Sequence, residues 1–282
     1  ITRKFIYTMA VTMADISKLR TMTGAGMMDC KKALEEAGND FDKAMEIIRK
    51  KGQAIAPKRS EREASEGCVL AASNGGFAAV VALNCETDFV AKNEDFIALT
   101  KQILDKAIEE KPADLEALKA TKIGDSTIEQ LVTDKSGITG EKMELSVYSQ
   151  IKGESTIAYI HPGNKLAAII AFNQAGVDAQ VAKDVAMQVA AMNPIAIDKD
   201  SVPVDVIEKE KEIAKDKARQ AGKPENLLDR IADGAMNKYF QENTLLNQAF
   251  IKESKISVAQ YMDSASKGLT VTAMSRVTLN EE

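Results

Sequence analysis

Phe77-Ala78-Ala79-Val80-Val81-Ala82-Leu83-Asn84 and Leu166-Ala167-Ala168-Ile169-Ile170-Ala171-Phe172-Asn173 are nearly the same strand written twice. All eight positions match in class, with the same Ala-Ala pair and the same closing Asn. Self-similarity of this kind sets the architecture before any single residue does. The sequels differ. The first copy runs into Cys85-Glu86-Thr87-Asp88-Phe89-Val90, the second into the plainer Gln174-Ala175-Gly176-Val177. A duplicated scaffold with one decorated copy places the function at the decoration.

The chain has 282 residues, enough for about two domains. An apolar fraction of 45%, a charged fraction of 28% and a mean hydropathy of −0.20 describe a globular protein able to build a core. With no Trp and only 5% aromatic residues, that core is aliphatic, helped by 12 Met. No apolar run approaches the roughly 20 residues of a membrane span. Residues 1–8 have neither the apolar core nor the cleavage signature of a secretory signal, and they read as an optional extension, with Met9 or Met13 as the start.

Cys30, Cys68 and Cys85 are an odd, scattered set without C-x-x-C spacing, which points to reduced thiols in a cytoplasmic setting. His161 is the only histidine, too little with those cysteines for a zinc site, so no metal and no cofactor are expected. The net charge of −5 is uneven: residues 1–60 carry 12 Lys and Arg against 7 Asp and Glu. Such a basic module docks on an acidic partner or on nucleic acid. Lacking interleaved aromatics or a nucleic-acid motif, it favours a protein partner, with nucleic-acid binding by the basic N-terminal bundle as the alternative.

Helical spacing divides residues 14–51 into three short helices. Asp15 is the expected cap of the first, and Thr23-Gly24-Ala25-Gly26 breaks it. The second, Met27 to Glu36, sets Met27, Cys30, Ala33 and Leu34 on one face, and the third buries Phe41, Ala44, Met45 and Ile48 and is expected to stop at Gly52. Asn74-Gly75-Gly76 marks a hairpin between Cys68–Ala72 and Phe77–Leu83. Helix follows from about 93 to 108, with Phe96, Leu99, Ile103, Leu104 and Ala107 inward, then at 113–120 and 126–134, and a strand at 143–151. The second copy pairs 156–160 with 166–172 around His161-Pro162-Gly163-Asn164-Lys165, then enters a helix from 178 that Asn193-Pro194 stops. Residues 205–240 form two charged helices joined by Ala221-Gly222-Lys223-Pro224, a hairpin with a narrow seam of Val206, Ile213, Ala214, Leu227, Leu228, Ile231, Ala235, Met236 and Tyr239. A helix near 257–266 and a strand at 269–279 close the chain.

The expected class is α+β. Its parts are an extension (1–8), a three-helix bundle (9–52), a linker (53–66), a core first repeat (67–150), a second repeat with a C-terminal module (151–201 with 241–282) and an inserted coiled-coil hairpin (202–240). The core combines antiparallel sheets with helices. No phosphate-binding loop, dinucleotide fingerprint or nucleophile elbow occurs. Gly137-Ile138-Thr139-Gly140-Glu141-Lys142 only imitates the first and reads as a turn before a strand. An enzyme is therefore not expected; the one form kept in view uses Cys85 or Cys30 as nucleophile.

Thr23-Gly24-Ala25-Gly26-Met27-Met28-Asp29-Cys30-Lys31-Lys32-Ala33-Leu34 resembles a signature of bacterial elongation factor Ts, and Cys85-Glu86-Thr87-Asp88-Phe89-Val90-Ala91-Lys92 resembles its second signature. The order of parts from Met9 onward is also similar. The resemblance implies guanine-nucleotide exchange on the GTPase elongation factor Tu, without bond chemistry, membrane or direct nucleic-acid contact. It implies that the bundle is of the ubiquitin-associated (UBA) type and docks on the partner's nucleotide-binding domain through Thr23, Gly24, Ala25, Gly26, Met27 and Met28. It implies further that Thr87, Asp88, Phe89 and Val90 dislodge the partner's Mg²⁺, and that His161 faces the partner on a lengthened hairpin. Residue chemistry alone leaves other roles open: Thr87 or Asp88 as a helix cap, and Phe89 as a core staple.

Overall fold

The computed structural model describes residues 10–55 and 61–280, with the side chains of residues 53–55 excepted. The expected extension at 1–8, a start at Met9 and residues 56–60 of the expected linker lie outside the described residues.

The first three helices are α1 (Met13–Thr23), α2 (Met27–Glu36) and α3 (Phe41–Ile55). Thr12, not Asp15, is the cap of α1. The Asp15 N–H donates to the Thr12 hydroxyl at 3.1 Å, and the Asp15 carboxylate accepts the Thr12 N–H at 3.0 Å, so Asp15 is the returning arm of a capping box. Gly24, at φ 74°, closes α1 in a left-handed turn that would strain any residue with a side chain. Ile16, Leu19, Cys30, Ala33, Leu34, Ala44 and Ile48 form the bundle core. Ala25 of the turn joins them, whereas Met27 stays outside and Phe41 and Met45 are only partly buried. Nor does α3 stop at Gly52; it runs on to Ile55.

Strands β1 (Glu66–Asn74) and β2 (Phe77–Cys85) form the expected hairpin, with Gly75 at φ 65° in its turn. Short α4 (Asp88–Ala91), α5 (Glu94–Glu110) and α6 (Leu115–Ala120) follow. Thr100 rather than Leu99 completes the buried face of α5. Two-residue strands β3 (Lys122–Ile123) and β4 (Ser126–Thr127) lead to α7 (Ile128–Thr139) and to β5 (Met143–Lys152). Residues 137–139, expected as a turn, belong to α7, and Gly140 ends that helix.

The second repeat has β6 (Ser155–Ile160), β7 (Leu166–Phe172) and α8 (Ala179–Met192), which Asp178 caps and Asn193 closes at φ 43°. The helical hairpin is α9 (Val204–Gln220) and α10 (Leu228–Asn243). Its buried seam is Ala218, Leu228, Ala232 and Met236: the small alanines permit close approach, while Leu227 and Ala235 remain exposed. Lys211–Asp233 at 3.0 Å and Lys215–Asp229 at 2.7 Å tie the two helices. Strands β8 (Ala249–Phe250) and β9 (Glu253–Ser257), not expected, precede α11 (Val258–Ala265) and β10 (Val271–Thr278).

The two strand triplets share one plan. The first sheet has the order β1-β2-β5 and the second β10-β7-β6, so each copied strand is central, between its hairpin mate and a late-returning strand. In the second sheet both pairings are antiparallel, with Ile170 opposite Ile157 and Met274. The copied strands are buried almost throughout, which explains their uninterrupted apolar runs. The fold is α+β with a duplicated core. The chain divides into two compact units, one with the described residues through Leu70, Val81–Tyr148 and Leu279 onward, the other with Ala71–Val80 and Ser149–Thr278. No helix among the described residues is long and apolar enough to cross a membrane.

Candidate functional site

β2 delivers the chain to the buried Cys85, after which the backbone turns into the single turn of α4. Thr87 sits in extended conformation (φ −125°, ψ 153°) and its hydroxyl accepts the Val90 N–H at 3.5 Å, so the capping role is real but weak. The stronger hold comes from across the unit. Glu141 accepts the Thr87 hydroxyl at 2.6 Å and the Thr87 N–H at 3.0 Å. In return, Glu86 accepts the Lys142 N–H at 2.6 Å and pairs with Arg62 at 3.0 Å. Two carboxylates thus fasten adjacent loops reciprocally. Charge-assisted bonds of this kind are short and about twice as strong as neutral ones. A four-residue helix has no stability of its own; these clamps give it shape.

On that mount Phe89 stands 84% exposed. It is not a core staple. Leaving a Phe in water forgoes about 2–3 kcal/mol of burial. Asp88, half exposed, pairs with Lys92 at 2.6 Å, Val90 is half-buried, and Ala91 anchors the turn inward.

Under the turn, the Cys85 thiol donates to the Thr87 carbonyl at 3.3 Å. Burial, reinforced by Glu141 and Glu66, pushes that thiol up to about 12, and burial raises Cys68 to about 11. Burial raises Cys30 as well. Buried thiols held in the protonated form are poor nucleophiles. Among the described residues no group of three or more His, Cys, Asp or Glu is arranged to hold a metal ion.

The bundle turn is ordered by its own residues. The Thr23 hydroxyl donates to the Leu19 carbonyl at 2.8 Å and accepts the Ala25 N–H at 3.2 Å. Met22, Met27 and Met28 are 52%, 39% and 63% exposed around it. A Cβ on Gly24 would lie 3.6 Å from Lys135 Nζ and 3.8 Å from Asp95 Oδ2, so this turn adjoins the start of α5, just beyond α4. His161 belongs to the other unit, exposed at the β6–β7 tip, with Nδ1 3.1 Å from the Tyr159 hydroxyl. Glu141 and Glu86 were invisible to sequence reasoning as functional supports, because their partners lie 54 and 56 residues away.

Five of the bundle's basic residues are paired, four with carboxylates of the bundle and Arg49 with Asp134 of α7. Lys31–Glu35 (3.8 Å), Lys43–Asp40 (3.1 Å), Arg49–Asp134 (2.7 Å), Lys50–Glu46 (2.7 Å) and Lys51–Asp29 are ion pairs.

The duplicated α+β scaffold thus raises a clamped apolar side chain into solvent. Comparison with known proteins names the family. The family model described as "Elongation factor TS" matches residues 86–281. Elongation factor Ts of Porphyromonas gingivalis is 60% identical over 275 residues, covering 97% of this chain and 100% of that protein. Elongation factor Ts of Azobacteroides pseudotrichonymphae is 54% identical over 274 residues, with coverage of 97% and 100%, and that of Bacteroides thetaiotaomicron is 47% identical over 331 residues, with the same coverage. The chain belongs to the elongation factor Ts family, which are translation elongation factors.

Proposed function

We propose that this chain is a cytoplasmic guanine-nucleotide exchange factor that binds the GTPase elongation factor Tu in its GDP form and promotes GDP release and GTP entry. The observation that carries the reading is Phe89, fully presented on a helix fastened by Glu141 and Glu86. GTPases hold GDP through phosphates, backbone N–H groups and Mg²⁺. A factor that releases it makes no bond; it stabilises the partner with that site spoiled. Phe89 is the apolar wedge that parts the partner's elements. Asp88 brings a carboxylate that competes for the groups supporting Mg²⁺, Val90 backs the wedge, and Thr87 is the fixed base. The Thr23–Met28 turn, with its exposed methionines, docks on the nucleotide-binding domain, and His161 adds a second contact.

The coupling is reciprocal: if this protein weakens GDP binding, GDP weakens this protein's hold by the same factor. Either nucleotide therefore ejects the factor, and the cycle runs in both directions. No cofactor or metal of its own enters this scheme.

Mixing the protein with elongation factor Tu loaded with fluorescent GDP tests the proposal. Release accelerates with factor concentration and saturates; no acceleration sinks the reading. A filter assay at low salt that retained RNA or DNA, with loss steep in salt, would favour the nucleic-acid alternative.

A further inference from the structure

The bundle and the first repeat meet where α3 crosses α7, and glycine stands on both sides of the crossing. A Cβ on Gly52 would lie 2.8 Å from the Gly137 Cα, and a Cβ on Gly137 would lie 2.0 Å from the Gly52 Cα and 2.3 Å from its carbonyl carbon. Backbone faces backbone with no room for a methyl group. Glycine inside a helix is costly relative to alanine, and both helices carry that cost at the same point.

The flanking residues lock the crossing. Three residues before each glycine, Arg49 Nε meets Asp134 Oδ2 at 2.7 Å, and the Arg49 guanidinium also reaches the Ser126 hydroxyl at 3.4 Å. The Asp134 carboxylate is nearly buried. One residue after Gly137, Ile138 packs into the bundle core.

The same helix reaches both candidate contact elements. Lys135 pairs with Asp95 at 3.5 Å, beside the Gly24 turn. At its C-terminal end the Ser136 hydroxyl donates to the Glu141 carbonyl at 2.6 Å, and the Glu141 N–H donates to the Thr139 hydroxyl at 3.3 Å. Glu141 is the residue that holds Thr87. An unbroken path of packed and bonded groups therefore runs from the bundle turn, along α7, to the Phe89 helix, all within one compact unit.

We infer that Gly52 and Gly137 are positioning residues: they let α3 seat on α7 so that the Thr23–Met28 turn and the Phe89 helix meet the partner as one rigid surface. This rests on the exchange reading above. Joining two contacts rigidly raises the effective concentration of the second once the first is made. Forcing the helices apart therefore weakens capture of the partner and leaves the chemistry of displacement, done by Phe89, alone.

The test uses the full chain with nitroxide labels at Glu46→Cys on α3 and Asp105→Cys on α5, both exposed, while the native thiols are buried. Pulsed dipolar spectroscopy gives one narrow distance distribution in the parent and a broadened or shifted one in Gly137→Ala. In exchange assays with elongation factor Tu, Gly137→Ala raises the half-saturating concentration roughly tenfold and keeps the limiting release rate within about twofold. If Gly137→Ala does not fold, Arg49→Gln loosens the same crossing without overlap and raises half-saturation roughly threefold. A broad distribution in the parent overturns the inference. So does an unmoved half-saturation, or a limiting rate that falls as far as the affinity does. A parent that does not accelerate GDP release from elongation factor Tu overturns the exchange reading and this inference with it; a parent that accelerates it while Gly137→Ala behaves identically overturns this inference alone.

Discussion

The copied strands end on the same residue and then diverge. After β7, Asn173 donates to the Gly268 carbonyl at 2.9 Å and accepts the Thr270 N–H at 2.8 Å. Gln174 donates to the Lys267 carbonyl at 2.9 Å, accepts the Ser266 hydroxyl at 2.7 Å, and its own carbonyl accepts the Ser155 hydroxyl at 2.7 Å. These bonds tie the corner shut. At the end of β2 the corner begins alike, with Asn84 donating to the Ala64 carbonyl at 2.9 Å and accepting the Ser146 hydroxyl. It then uses Glu86 and Glu141 to hold a one-turn helix whose largest side chain points away from the protein. The same strand geometry yields a seal in one copy and a mount in the other. The difference lies in what the polar bonds are asked to hold.

On that contrast, damage to the second copy's core and sealed corner, away from the His161 tip, costs stability and spares exchange. The sharpest case is Asp184 on α8, buried and bonded to Lys252 at 2.6 Å, Tyr261 at 2.9 Å and Gln180 at 2.6 Å. Asp184→Ala strands Lys252 and Tyr261 and lowers unfolding free energy by about 3 kcal/mol, read by urea denaturation, with the saturated GDP-release rate unchanged. Desolvation alone would raise the Asp184 carboxyl, but the bonds from Lys252, Tyr261 and Gln180, with the Lys252 charge, outweigh it and hold the group below its ordinary value. A depressed carboxyl stabilises the fold above its unfolded value of about 3.9 and loses that contribution as pH falls through the folded one. Stability therefore drops with acid below about pH 4, and Asp184→Asn flattens that drop.

The corners themselves make a matched pair of variants. Glu141→Ala frees Thr87 and unseats α4; it costs about 2 kcal/mol and slows exchange roughly tenfold, although Glu141 need not touch the partner. Gln174→Ala costs about 1 kcal/mol and leaves exchange alone. Equal losses of exchange in both variants would erase the distinction between the copies.

The smallest expected effect concerns the thiols. With Cys85 raised to about 12 and Cys68 to about 11, an aromatic disulfide reagent at pH 8 leaves the native protein unlabelled and titrates all three cysteines after denaturation. Rapid native labelling at Cys85 would reopen the nucleophile reading.

Much of this fold is local and so was legible. The Asn74-Gly75-Gly76 turn, the apolar runs around it and the 3–4 spacing in α5 and α8 each depend on neighbours in sequence. Glycine was misread where its neighbours are distant. By composition Gly52 reads as a helix stop and Gly137 as part of a turn, yet each faces the other's backbone, a use that shows only once α3 and α7 are side by side. The expected hairpin seam holds Ala214 and Ala235 where the structure buries Ala218 and Ala232: each helix carries two alanines, and only the crossing itself selects which of them is covered. At the candidate site, residue types alone left Phe89 between core and surface, and burial removes the first. Glu141 had no local signal, because a carboxylate that reaches across 54 residues looks like any charged turn residue.

Phe89 is a working side chain without structural duty in this scheme. Stopped-flow release of fluorescent GDP from elongation factor Tu, at saturating factor, compares the parent with Phe89→Ala, and urea denaturation compares their stabilities. Phe89→Ala is expected to lower the limiting rate at least thirtyfold, about 2 kcal/mol in hot-spot terms, with unfolding free energy within about 0.5 kcal/mol of the parent. A variant that exchanges GDP at the parent's rate, or that loses stability in step with its activity, contradicts the scheme.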